Sequence, residues 1–492
     1  MPSRVRSPED DSDPLTRAIA PPPDETPQEK EARLRKEAHA KRVSDTIDEE
    51  LERQRLAERR GPKPVRVLLL GQTESGKSTT LKNFQLMTDP KAFAAERASW
   101  RAVIQLNLVR SIHVILDAMT RINDTSRTPS KASTSSSSSP VSSDLSSLTD
   151  STMDPELLEI RKRLASLLQV EELLTRRLTP TGYGEVGTTE LAPVTTSLER
   201  TRTVFKEVAV NSAVPWKEVF SKIVSGKSGN NEEPLVDWND PNDPGKVLHE
   251  CAEDMKRLWN HKSVQEMLEK QNLRLEEMAG FFLDSLDEVT SPTYLPNNDH
   301  ILRARLKTLG VSEHRVKVQT GASNRPDDWR VFDVGGHRSL VTSWAPYFDN
   351  MDAIIFLAPI SAFDQVLVEA PRVNRLEDSV LLWTSIVANK LLQHTDLILF
   401  LNKCDILTAK LASGIKLRDY VVSYGSRPNN FENAAAYLRK KFAGILKENS
   451  PLPRTFYCHL TSVTDTLSTQ KVIASIRDML MRDNLKQSTL LL

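Results

Sequence analysis

The apolar positions of this chain change period along its length, and the change outlines its architecture. Residues 28–60 are a dense run of Glu, Lys, Arg, Ala and Leu without Gly or Pro, the composition of a long solvated helix, stopped by the Gly61-Pro62 pair. VRVLLL at 65–70 is too short for a helix and precedes a glycine loop, so it predicts a buried parallel strand. Between 92 and 120, Trp100, Val103, Ile104, Leu108, Ile112, Ile115, Leu116 and Met119 recur at spacings of three and four, which predicts a long core helix. Helical periodicity returns at 155–178, 247–259, 264–268 and 275–289. Beyond Tyr294 short apolar runs at 316–320, 329–334, 353–359, 397–402 and 455–460 predict strands, with helical segments between the later ones. Such alternation implies a mostly parallel sheet covered on both faces. Because the first strand lies far upstream of the others, a helical domain is inserted into an α/β domain, not appended to it.

Composition adds the connecting segments. Residues 1–27, rich in Pro, Asp and Ser, are expected to be a disordered tail, since they cannot bury enough surface to offset chain entropy. A Ser-rich tract over 123–152, with consecutive serines at 135–139, and a Gly/Thr/Pro stretch over 179–197 read as low-complexity material, so 123–212 is taken as an insert without assigned function. The expected domains are the tail, an N-terminal helix at 28–62, an α/β domain of 63–90 and 296–492, and a helical domain of 91–295. Lys plus Arg and Asp plus Glu balance at 66 each, so no basic excess points to nucleic acid. The three cysteines, Cys251, Cys404 and Cys458, suit neither a disulfide framework nor a zinc site. No run approaches 18 apolar residues, and MPSRVRSPED has no signal-peptide core, so a cytoplasmic protein is expected.

The chemistry concentrates in three loops. Residues 71–78, GQTESGKS, fit the phosphate-loop pattern: backbone N–H groups of Glu74, Ser75, Gly76 and the following helix start, through Thr79, converge on phosphate oxygens. Lys77 would reach the outer phosphates and the Ser78 hydroxyl would ligate Mg²⁺. The plain alternative is a ligand-free strand-loop-helix turn. Asn402-Lys403-Cys404-Asp405 follows a strand, where ligand loops lie in such sheets. Asp405 there can accept from two N–H donors of guanine that adenine lacks, with Asn402 as its companion in reading the base. Alone, that string is often only a polar loop. Asp333-Val334-Gly335-Gly336 ends a strand, so Asp333 can hold Mg²⁺ through water while the Gly336 N–H faces a γ-phosphate; a glycine turn is the alternative.

Together with LRARLKTLG at 302–310, DVGGHR at 333–338, FLNKCD at 400–405 and TSVTDT at 461–466, the phosphate loop resembles the alpha subunits of heterotrimeric G proteins, over about 65–122 and 245–492. The resemblance implies a Ras-like P-loop GTPase domain carrying an inserted all-α helical domain, binding GTP or GDP with Mg²⁺. It implies that Leu302, Arg303, Ala304, Arg305, Leu306, Lys307 and Thr308 border the nucleotide. It further implies that Arg305 is the built-in arginine finger, near Glu74, that Thr308 is the second Mg²⁺ ligand, and that the Val463 N–H contacts the guanine oxygen. His337 stands where the family has a water-orienting glutamine, which implies slow hydrolysis. A scaffold that binds GTP and hardly hydrolyses it is the alternative; a P-loop ATPase or kinase is disfavoured by Asn402 and Asp405.

Ser285 replaces an acid able to bridge the cleft to Lys403, which implies a looser lid and faster GDP release. The resemblance also implies a beta–gamma dimer on the N-terminal helix and a seven-transmembrane receptor at the DNLKQSTLLL end, although SLVTSWAPYF at 339–348 departs from the family's charged switch. Pro2 replaces the myristoylated glycine and no cysteine lies nearby, so attachment to the cytoplasmic face of the plasma membrane would rest on basic residues alone, with a merely solvated helix as the alternative.

Overall fold

A computed structural model describes residues 26–60, 64–125, 154–178, 209–211, 243–271, 273–309, 311–318, 327–336, 344, 347–348, 351–367, 370, 372–462 and 464–489. The expectations for the 1–25 tail, the Ser-rich tract over 126–153, the 179–197 stretch, His337 and Val463 lie outside these residues. The chain divides into two units, Met1–Pro64 and Val65–Leu492. In the first, Pro27–Arg60 is one helix, with i,i+4 pairs such as Arg33–Glu37 and Arg35–Glu31 along its surface.

The second unit carries a six-stranded sheet in the order β4-β5-β1-β6-β7-β8. These strands are β1 (Val65–Gly71), β4 (Val311–Val318), β5 (Asp327–Val334), β6 (Ala353–Pro359), β7 (Asp396–Asn402) and β8 (Tyr457–Thr461). All neighbours run parallel except β4, which pairs antiparallel with β5. Every residue of β6 is buried, as a central strand covered on both faces requires. Two apolar cores flank the sheet, one around Trp344, Phe356 and Trp383 and the other around Phe84, Trp329 and Ile476. β4 begins earlier than its apolar run at 316–320 suggests, because edge residues 311–315 alternate in burial instead of forming a continuous apolar stretch. The expected residues 319–320 of that run lie outside the description. A second, two-stranded sheet pairs β2 (Ala209–Asn211) with β3 (Lys307–Leu309) in parallel.

The helical insertion leaves the sheet after β1 and returns before β3. Its axis is the helix Arg97–Thr125, on which Trp100, Val103, Ile104, Leu108, Ile112, Ile115 and Met119 are buried. Among the described residues, Arg97–Thr120 is long and apolar enough to cross a membrane, contrary to the sequence expectation, but 67% of that stretch is buried as core.

Two expectations need correction here. Segment 155–178, counted within the insert, belongs to the helical core: Leu157, Ile160, Leu164, Leu167 and Leu174 are all buried there. The expected helix over 275–289 is broken into the turns Leu275–Glu277 and Leu283–Ser285 and a short helix Leu286–Val289. Gly280 has φ +84°, and a Cβ there would stand 2.8 Å from Asn107 Oδ1 and 3.0 Å from Arg305 Cβ, so a helix cannot run through it.

Candidate nucleotide-binding cleft

The carboxyl ends of β1, β5 and β7 face the helical insertion across a cavity of about 570 Å³. Glu74, Ser75, Gly76, Lys77, Ser78 and Thr79 line it from the phosphate loop, and Leu302, Arg303, Ala304, Arg305 and Leu306 from the returning segment. Val334, Gly336, Asn402, Lys403 and Asp405 complete the sheet side. Gly335 and Cys404 lie behind the wall: the Gly335 carbonyl accepts from Trp344 Nε1, and Cys404 Sγ donates to the Leu401 carbonyl. The backbone of Lys307 and Thr308 forms β3, and their side chains fall outside the description.

The phosphate loop is built as an electropositive cradle. The helix Lys77–Thr88 begins at Gly76 without a side-chain cap, and its first residues line the cavity. Lys77 Nζ donates to the carbonyls of Gly71 (2.8 Å) and Gln72 (2.7 Å). Burial lowers the Lys77 ammonium to about 8, with Asp333 opposing the shift. Gly336 passes so close that a Cβ would meet the Gln72 backbone at 2.5 Å, which explains glycine at this crossing.

Ser78 Oγ donates to Asp333 Oδ2 at 2.8 Å. A hydroxyl and a carboxylate side by side at the phosphate loop are hard oxygen donors that fit Mg²⁺.

Arg305 is held by its backbone and its guanidinium. Asn107, on the long helix, accepts from the Arg305 N–H (2.7 Å) and donates to the Arg305 carbonyl (3.1 Å). The guanidinium donates to Glu74. Burial pushes the Glu74 carboxyl up, but Arg305, Arg375 and Lys403 outweigh it and hold it at about 2. Arg303 faces the helical side instead, pairing with Asp284 (2.9 Å) and Asp299 (2.9 Å) and donating to Ser285 Oγ at 3.1 Å.

The loop after β7 assigns different tasks to its two named residues. Asn402 is fully buried; its Nδ2 donates to the Ser75 carbonyl at 2.7 Å and its Oδ1 accepts from Thr461 at 3.2 Å. Its amide thus ties this loop to the phosphate loop, where sequence reasoning gave it a share in reading the base. Asp405, in the first turn of Cys404–Ala412, lines the cavity. Lys403 adopts φ +63°, and burial lowers its ammonium to about 8 against the pull of Glu74.

Ser285 does not leave the cleft untied. Arg274 and Glu277, from the helical insertion, engage Asp364 and Lys410, from the sheet side. Lys410 Nζ lies 2.7 Å from Glu277 and 2.5 Å from Asp364, and Arg274 lies 2.5 Å from the other Asp364 oxygen. Sequence reasoning missed these four residues, together with Asn107 and Arg375, because no local motif marks them.

Comparison with known proteins agrees with this geometry. A family model described as G-protein alpha subunit matches residues 41–480. The chain is 30% identical to the guanine nucleotide-binding protein alpha-4 subunit of Mycosarcoma maydis, covering 97% of this chain and 95% of that protein. It is 27% identical to the alpha-1 subunit of the same organism, over 94% and 99% of the two chains. It is 26% identical to the alpha-1 subunit of Kluyveromyces lactis, over 92% and 96%.

Proposed function

The chain belongs to the G-protein alpha-subunit family, and on that premise we propose that it is a guanine-nucleotide-operated signal transducer that hydrolyses GTP to GDP slowly. The observation that carries the reading is the convergence of the Lys77 loop, Ser78, Arg305 and Asp405 on one cavity, with Asp333 behind Ser78 as its hydrogen-bond partner. Asp405 would accept from the guanine N–H donors, and the uncapped helix start with Lys77 would hold the phosphates. Ser78 and Thr308 would ligate Mg²⁺, with Asp333 acting through water; the bound metal would neutralise charge on the β- and γ-phosphate oxygens. Arg305 would swing from Glu74 toward the γ-phosphoryl oxygens as their charge grows.

Turnover is expected to be slow because of His337, which has one donor and one acceptor when neutral and cannot present an amide's geometry to both water and phosphate. That same residue favours the second reading, a scaffold that holds GTP and hardly hydrolyses it. GTP and its Mg²⁺ would order the segments near Thr308 and Gly336, and hydrolysis would release them. The reading extends to a beta–gamma dimer on the helix Pro27–Arg60, whose Val43, Ile47 and Leu51 are exposed at spacings of four. It extends also to a seven-transmembrane receptor at the C-terminal helix and a cytoplasmic site of action at the membrane face. Single-turnover release of γ-phosphate from preloaded GTP tests the core of it: slow, Mg²⁺-dependent release supports a switch, and GTP retained intact over hours supports the scaffold.

A further inference from the structure

A relay of side chains runs from the helical insertion to Arg305. Gln365 Nε2 donates to Glu277 Oε2 at 2.6 Å, and Gln365 Oε1 accepts from Arg375 at 2.9 Å. The orientation of that amide is dictated chemically, because a carboxylate demands its donor end and a guanidinium its acceptor end. Arg375 then donates to Glu74 Oε2 at 3.2 Å and to the Thr73 carbonyl at 2.8 Å, and Glu74 accepts from Arg305 on its other oxygen. Arg375 is anchored in turn by Gln72, whose Nε2 donates to the Arg375 carbonyl at 2.8 Å. Glu277 stands on the helical insertion, whereas Gln365, Arg375 and Glu74 stand on the sheet side.

We propose that Gln365 is a positioning residue through which closure of the helical insertion over the cleft sets the arginine finger. With Glu277 seated, the amide is locked and presents a fixed acceptor to Arg375, which fixes Glu74 and the starting position of Arg305. With Glu277 withdrawn, the amide is held at one end only, its acceptor is no longer fixed in front of Arg375, and Glu74 and Arg305 are held less tightly. Transition-state stabilisation is thereby confined to the closed cleft, so an open cleft releases nucleotide without turning it over. The inference deepens the proposed function and rests on Arg305 stabilising the transferred phosphoryl group.

The test compares affinity for GDP with tetrafluoroaluminate, a mimic of the phosphoryl group in transfer, with affinity for GDP alone. Gln365→Leu should weaken mimic binding about fivefold, the worth of roughly one hydrogen bond, and by less than about twofold in an Arg305→Ala background. Combining Gln365→Leu with Glu277→Ala should weaken it no more than Glu277→Ala alone, because loss of Glu277, which also pairs with Lys410, already unlocks the amide. An equal loss with and without Arg305, or an unchanged mimic affinity, overturns the relay while normal GDP binding leaves the nucleotide reading standing. Absence of GDP binding by the wild-type chain overturns both.

Discussion

Arg305 donates from its guanidinium to the carboxylate of Glu74, 231 positions earlier in the chain. The pair closes the cleft floor between the phosphate loop and the segment returning from the helical insertion. It also stores the cation beside the place where charge would develop, at the distance of one side-chain swing. Arg305→Ala is therefore expected to slow single-turnover GTP hydrolysis about 100-fold, as the loss of a preorganised donor does, while GDP affinity changes little. Phosphate release after rapid mixing, beside equilibrium GDP binding, checks both halves.

The ties across the cleft lie at Arg274, Glu277, Asp364 and Lys410. Asp364 and Lys410 are almost fully buried, so removing Lys410 leaves two carboxylates sharing the single cation Arg274 in a nearly dry site. Lys410→Ala is expected to speed spontaneous GDP dissociation by about tenfold or more. Ser285→Asp should slow it far less, since Arg303 already occupies the space beside Ser285. Chase of a fluorescent GDP analogue by excess GDP measures both.

His337 offers a gain-of-function test. His337→Gln is expected to raise the single-turnover hydrolysis rate about 100-fold by restoring a group that can orient water and phosphate together. A glutamine variant no faster than the wild type would remove His337 as the cause of slow turnover.

Acid sensitivity should come from the edge of the sheet. Burial lowers His314 to about 4 from its ordinary 6.5, and its Nε2 lies 3.0 Å from Ser312 Oγ. The unfolded chain takes up this proton first as pH falls, so the stability contribution is whole above 6.5 and is lost progressively down to 4. Between pH 7.5 and 5 the loss from this group is about 2 kcal/mol. Denaturant midpoints of wild type and His314→Gln at both pH values check it; the variant should lose correspondingly less.

The phosphate loop and the strands at β6 and β7 were legible because their signals are local: a contiguous glycine pattern, and apolar runs of strand length. The core helix was legible because its stripe repeats over many turns. The cleft's supporting residues carry no such signal. Arg375 meets Glu74 across 301 positions and Gln365 meets Glu277 across 88, so only the folded chain reveals their pairing. Asn402 illustrates a subtler limit: its position could be read from the string 402–405, but the direction of its amide toward Ser75 could not. The break at Gly280 was hidden because Leu275, Leu283, Leu286 and Val289 keep apolar spacing on both sides of a residue with φ +84°.

The central claim is a site selective for guanine, and competition for a fluorescent GDP analogue tests it most directly. GTP and GDP should displace the analogue from the wild-type chain at concentrations at least about a thousandfold below those of ATP, the discrimination expected when a site built to accept a base's N–H donors is left unpaired by the wrong base. Asp405→Ala should erase most of that gap. Displacement by ATP at the same concentration as GTP would contradict the account.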